Sequence, residues 1–306
     1  MQTNEMIHVL SGDSALCSII DSGMPGEFLA WHDINYDGPI RSSGYPNEQT
    51  LEARAEFIEK EVGAGLSKEY IMQEFHKQYG QLIDAVKYNK KIMLWFDACL
   101  FDQAMLIHIL MCLQEISEQQ NKSIQKNVSL FVIDKFEGII PYHGTGQLTT
   151  QNFSEIWQNK TNYRAELMTE KHYIYAKKID TAFAEQNFTK LLTEQLFLDE
   201  CTKLFPHVIP AIQRWISENP PKPQLGRLAT LALAAIQAGN RTPFQIFKAV
   251  AQMDTPPQYW GDTTLWKIIN QLADQRKIRI EGPENRLPQW NFQEKQTEIF
   301  DIFPEI

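Results

Sequence analysis

An α/β fold with a mostly parallel sheet is predicted by three observations. Strand-like apolar runs in the first half alternate with helix-periodic stretches, and several of those runs end in a polar turn carrying aspartate or glycine. The C-terminal part changes pattern, to capped helices followed by a hairpin-like pair of short strands. Met6 to Leu10 is β-branched and apolar and empties into Ser11-Gly12-Asp13-Ser14; a helical stretch follows through Ile20, Gly23 to Gly26 breaks it, and Glu27 to Trp31 reads as the next strand. A strand, a helix and a strand in that order imply a parallel pair. Residues 48 to 88 carry Leu51, Ala55, Ile58 and Val62, then Ile71, Phe75, Tyr79, Leu82 and Val86, at spacings of three or four, so two helices are expected with a break near Gly63-Ala64-Gly65.

Lys91 to Phe96 is the following strand, ending in Asp97. Residues 102 to 118 read as a helix with Met105, Ile109, Leu113 and Ile116 on one stripe, and Val128 to Ile133 as a buried strand ending in Asp134. Thr149 or Thr150 is placed to cap a helix through Trp157. Residues 164 to 217 look almost wholly helical, and Asn219-Pro220-Pro221-Lys222-Pro223 cannot be helix. Beyond it, one helix stops at Gly239-Asn240, a second opens at Thr242-Pro243 and a third is expected to be capped by Asp262. Lys277 to Glu281 and Leu287 to Phe292, joined by Gly282-Pro283-Glu284-Asn285, read as a hairpin. The organisation expected is therefore a Rossmann-like α/β domain over 1–160, a helical connector over 161–219 and a winged-helix-like α+β domain over 220–306.

Charge and cysteine usage narrow the functional classes. Residues 1–150 hold 11 Lys+Arg against 20 Asp+Glu, while residues 151–306 balance at 18 and 18, so the formal net charge of -9 lies in the first half. An acidic half repels a phosphate backbone and disfavours nucleic acid as its ligand. Cys17, Cys99, Cys112 and Cys201 are widely spaced, as expected of reduced thiols. No apolar run approaches the roughly 18 residues that cross a bilayer, and the N-terminus lacks a secretory pattern, so no membrane is expected and the cytoplasm is the expected location.

The carboxyl ends of strands in an open α/β sheet are where such folds present functional groups, which gathers Asp13, Asp33 or Asp37, Asp97 and Asp134 along one rim. Ser11-Gly12-Asp13-Ser14 admits three readings: a cradle of backbone amides for an anion, a nucleophile turn like that of the Gly-Asp-Ser-Leu esterases, or a plain turn with Asp13 capping a helix. The esterase reading needs a late Asp-x-x-His, and none of the 7 histidines has an Asp three positions before it. His32, Asp33 and Asp37 could join Asp13 and Asp97 around a hard cation, but the spacing assigns no metal; Asp33 and Asp37 could equally tie down the turn that Gly38-Pro39 closes. His143 sits near the last strand, where it completes a pocket or shapes a loop. In the last capped helix, an apolar stripe facing the core would expose Thr264, Lys267, Asn270, Gln271 and Asp274. One lysine there is thin coverage for DNA, so docking on the α/β domain or on a protein partner is the favoured use.

The Gly12-Asp13-Ser14 turn, the block His32 to Ile40, Arg54 in a helix, the strand Ile92 to Phe96 ending in Asp97, and Gly144-Thr145-Gly146-Gln147-Leu148-Thr149 together resemble the bacterial family catalogued as domain of unknown function 1835. The likeness spans roughly the first 160 residues, and the remainder is similar to the region often found behind that domain. It implies a domain layout and a candidate site and carries no activity with it. Arg54, in the family-like position, would clamp an anionic ligand bidentately or serve as a structural ion-pair partner. The leading expectation is a small polar or anionic, nucleotide-like ligand bound by Ser11, Gly12, Asp13, Ser14, His32, Asp33, Asp37, Gly38, Arg54, Asp97 and His143, with no cofactor specified. The rivals are a hydrolase or transferase using Asp13 or Ser14 with His32 as base, and a regulator whose ligand domain controls DNA binding; self-association is a further expectation.

Overall fold

The computed structural model describes residues 5–39, 43–63, 65–256, 258, 260–287 and 299–305. Its chain divides into two compact units, 1–51 with 72–212 and 52–71 with 213–306. Residues 161–212, expected as a separate connector, fall in the first unit, and residues 52–71 fall in the second.

The elements follow in chain order. β1 (Met6–Ser11), α1 (Leu16–Asp21) and β2 (Glu27–Trp31) precede α2 (Glu48–Phe57), a π-helical turn over Ile58–Val62, and α3 (Lys68–Lys87). Next come β3 (Lys91–Asp97), α4 (Leu100–Gln119), β4 (Val128–Ile133), a 3-10 turn over Thr145–Gln147, α5 (Thr150–Trp157) and β5 (Glu166–Leu167). The helices α6 (Glu170–Ala184), α7 (Thr189–Thr193), α8 (Gln195–Leu204), α9 (Val208–Glu218), α10 (Arg227–Gln237), α11 (Pro243–Met253) and α12 (Asp262–Asp274) lead to β6 (Ile278–Glu281) and β7 (Asp301–Pro304).

The first unit is built on a five-stranded sheet in the order β2-β1-β3-β4-β5. The pairs β1/β2, β1/β3 and β3/β4 are parallel, and the two-residue β5 adds an antiparallel edge that helical periodicity in 164–217 concealed. Parallel strands covered on both faces read as unbroken apolar runs, and Ile92-Met93-Leu94-Trp95-Phe96 is one, buried throughout. On one face Leu10, Met93, Trp95, Phe131 and Ile133 pack with Ile19 of α1 and with Phe153 and Ile156 of α5. On the other, Trp31 meets Tyr79 of α3 and His108 of α4 edge-on. The expected single stripe on α4 proves too narrow: from Leu100 to Leu113 all but Phe101 are buried, as befits a helix covered on more than one side. α4 also corrects the reading that no run is long and apolar enough to cross a bilayer: by length and composition it is, and 83% of its apolar window is buried inside the protein.

The strand order puts a topological switch point between β1 and β3: the chain leaves β1 for β2 on one side and returns to β3 on the other. In open α/β sheets the crevice at that point, beyond the carboxyl ends of the strands, is where ligands bind.

The second unit has its own core, in which Leu228, Ala232 and Ile236 of α10, Ile246 and Val250 of α11, and Leu265, Trp266, Ile269 and Leu272 of α12 enclose Ile278, Ile280 and Ile302 of a two-stranded sheet. Three helices and an antiparallel pair make it winged-helix-like. β6 pairs with Asp301–Pro304; of the segment expected to complete the hairpin, 288–292 lie outside the described residues and Leu287 is not in a strand. Asp262 is not a cap either: Gly261 holds that position, and the Asp262 carboxylate accepts from the Thr263 amide. An ion cluster lies beside the core, where buried Asp254 takes both guanidinium arms of Arg214 at 2.6 and 2.9 Å and Nε of Arg227 at 3.1 Å.

Candidate functional site

The switch point is organised around two buried carboxylates. Ser11 ends β1 and donates its hydroxyl to Asp102 Oδ1 at 2.7 Å. Asp102 is the third residue of α4, and its Oδ2 accepts the Asp97 amide at 2.6 Å. One side chain thus ties the end of β1, the end of β3 and the start of α4 together. Asp97 turns its own carboxylate to the loop that follows β4: Oδ1 accepts from the Tyr142 hydroxyl at 2.8 Å, and Oδ2 from the Thr145 amide at 2.8 Å and hydroxyl at 3.3 Å. Its carbonyl accepts Gln103 Nε2 at 2.7 Å.

Burial disfavours the ionised form of both acids. Asp97 is driven well above the usual carboxylate range by desolvation first and by the Asp102 charge second, against the pull of the Thr145 and Tyr142 hydrogen bonds. Burial raises Asp102 to about 6, opposed by hydrogen bonds from the Asp97 amide, the Ser11 hydroxyl and the Cys99 thiol. Tyr142 is pushed up by burial and by the neighbouring Asp97 charge.

The solvent-facing part of the rim is the end of β1 against the end of β2. The Gly12 amide extends the ladder to Trp31 O at 3.0 Å, leaving Asp13 and Ser14 exposed beyond it. Asp13 does not cap α1, whose cap position is Ala15 with no side-chain cap bond; its Oδ2 instead meets His32 Nε2 at 2.7 Å. Because a carboxylate there only accepts, Nε2–H is the donor, and Nδ1 is the ring nitrogen left on the far side. Helix α1 has 6 residues, so the dipole behind the expected anion cradle is short.

The remaining candidates lie in the turn after β2, in the loop after β4 and in α2. Asp33 is buried, accepting from the Ile34 amide at 2.8 Å and from Asn35 Nδ2 at 3.0 Å, and Asp37 accepts the Gly38 amide at 2.7 Å, so both shape the turn. His143 lies in the loop beside Tyr142, its amide donating to Gln147 Oε1 at 2.6 Å. Arg54 is buried in α2 and falls in the second unit. Among the described residues no group of three or more His, Cys, Asp or Glu could hold a metal ion, so the rim carboxylates do not converge as the cation reading required. An open cleft between α6 and α7, lined in part by Lys177, Lys178 and Lys190, contains none of the candidate residues.

Asp102, Tyr142 and Gln103 were not among the expected site residues, and Thr145 entered only through the Gly144–Thr149 motif. A signal for Asp102 and Gln103 existed: in Leu100 to Cys112 the polar residues are Asp102, Gln103 and His108, and a buried helix does not carry a carboxylate without a partner.

The last helix of the second unit presents less than expected. Asn270 is buried and clasps Leu287 through both backbone groups, Nδ2 to the carbonyl at 2.9 Å and Oδ1 from the amide at 2.8 Å. Lys267 is half-buried with Nζ over the Phe57 ring, 4.8 Å from its centroid. Gln271 and Asp274 are exposed, Asp274 being paired with Arg286.

No protein-family model matches this chain, and no curated protein matches it.

Proposed function

We propose that the α/β unit binds a small polar ligand at the carboxyl-end rim of its sheet, beside the β1/β3 switch point, with Asp13, Ser14 and His32 as the groups that meet it. The observation that carries this reading is the exposed Asp13–His32 pair, 2.7 Å apart across two adjacent strand ends. The buried Asp97–Asp102 pair behind it fixes the strand ends in place. The chemistry favours a ligand with hydroxyl or amino donors, nucleoside-like or polyol-like, over a bare phosphate, since the strand ends offer carboxylates and α1 offers little dipole. Four free cysteines support a reducing compartment, and we assign the protein to the cytoplasm. Membership of the domain of unknown function 1835 family is proposed on the motif residues alone.

Thermal-shift screening of the full chain against nucleosides, polyols and their phosphorylated forms tests the reading, because a ligand that binds only the folded state raises the melting temperature. A donor-bearing compound should shift wild type, and Asp13→Asn or His32→Ala should lose at least roughly tenfold in affinity, the value of one charge-assisted contact. A flat response across the panel, or a shift untouched by both substitutions, overturns it.

A second reading, a hydrolase or transferase, is favoured by the same 2.7 Å contact, because a carboxylate on Nε2 orients a histidine to act as general base through Nδ1. With any substrate found in the screen, His32→Asn should cost on the order of a hundredfold or more in turnover. Turnover equal to wild type removes the enzyme.

A further inference from the structure

The crevice at the switch point is covered by the chain itself. Thr145 and Tyr142 give the buried Asp97 carboxylate three donors, and they come from one short loop. Gly146 of that loop comes so close to Ser14 that a Cβ on it would lie 2.9 Å from both Cβ and Oγ of the serine. Gly144 has φ +150°, a conformation side chains rarely adopt.

The loop is braced within itself. Gln147 accepts the His143 amide at 2.6 Å and donates to the Pro141 carbonyl at 3.4 Å, and its own amide donates to the Gly144 carbonyl at 3.0 Å. The brace ends at Leu148, which is buried, and at Thr149, whose hydroxyl caps α5. On the other side Ile140 is 94% exposed. A braced loop held to the sheet by polar contacts, with Ile139 and Tyr142 packed on the core at one end and Leu148 at the other, can open as one piece.

We propose that residues 142–147 are a lid over the ligand crevice, latched shut by the hydrogen bonds that Tyr142 and Thr145 make to Asp97. The proposal rests on the ligand reading above and states how that site is regulated: the closed lid packs against Ser14, and a ligand competes with it for that side of the crevice.

Amide exchange followed residue by residue by NMR on the full chain, without ligand, tests the latch directly, because the Thr145 amide is one of its bonds. Leu94, in the middle of β3 and paired on both sides, reports global opening. In wild type Thr145 should exchange on the order of a hundredfold faster than Leu94, the mark of local opening. Tyr142→Phe removes one latch donor and should speed Thr145 by a further factor of about ten with Leu94 unchanged. Gly146→Ala pushes the lid off Ser14 without touching Asp97 and should act in the same direction. If Thr145 and Leu94 exchange at one common rate in wild type, or if neither substitution moves Thr145 alone, the loop is a fixed part of the core and the lid is overturned. Because no ligand is present, that result leaves the ligand reading standing, and a failed ligand screen leaves the lid standing.

Discussion

His8 is held neutral by its partners. Nδ1 faces the Trp95 indole N–H at 3.1 Å, and an indole only donates, so Nδ1 is the acceptor and Nε2–H donates to the Pro25 carbonyl at 3.0 Å. Phe28 stacks on the ring at 4.8 Å. Protonation would set two N–H groups against each other in a fully buried place, and desolvation lowers the His8 pKa from 6.5. The unfolded chain therefore takes the proton first, and stability is lost as pH falls below 6.5. His172 and His207 are lowered by burial too and add to the same slope. Urea unfolding at pH 5 and pH 7.5 should show His8→Gln less pH-sensitive than wild type; equal sensitivity would contradict a buried neutral ring. Asp102 runs the other way. Its acid is about 6 in the fold against 3.8 unfolded, so its contribution is greatest below 3.8 and is lost as pH rises through 6. Asp102→Asn, which cannot ionise, should be destabilised by about 1–3 kcal/mol through its broken hydrogen bonds, with the gap to wild type narrowing as pH climbs from 4 to 7. A gap that widens would mean Asp102 stays ionised throughout that range.

At the scale of elements, helix ends are where local sequence had most to say. Thr149 with Asn152 and Thr242 with Gln245 both form reciprocal capping boxes, and Pro243 stands in the first turn of α11, where its missing donor does no harm. Thr242→Ala should cost about 1 kcal/mol in chemical denaturation, and Thr242→Asn should restore most of it. These signals were legible because every partner lies within four residues. The parallel strands were legible for another local reason, burial on both faces, and β2 ends where its apolar run ends. What escaped depends on distant partners. β5 has 2 residues and no periodicity to read. β7 pairs with β6 across a gap of some twenty residues, a separation that no local pattern spans. Asp102 looks like an ordinary acidic residue in a first turn, and its role follows from β1, which ends 91 residues earlier. The rim was legible as the place where strand ends gather, but which carboxylates are buried and which face water was not.

At the scale of the molecule, the discontinuity of the second unit decides what its winged-helix-like core can present. Residues 52–71 belong with 213–306, and the π-helical turn of the first segment packs on α12. Thr263 Oγ1 donates to the Val62 carbonyl at 2.9 Å, across 201 residues of sequence, and Lys267 lies over Phe57. The face that a DNA-reading helix would insert into a groove is thus partly committed to the chain's own helical segment. Lys267, the cation on which phosphate contact depended, sits on an aromatic ring instead. A π-helical turn over Ile58–Val62 leaves the Val62 carbonyl facing Thr263, and replacing that hydroxyl with a methyl removes the donor while keeping the shape. Thr263→Val should therefore cost about 1 kcal/mol. Hydrogen exchange should rise together in 58–62 and in α12 while β3 of the other unit stays protected, because the bond joins two segments of one cooperative unit. Exchange that rises in α12 alone would show that residues 52–71 are not part of that unit's cooperative core, and the α12 face would then be free to meet a partner.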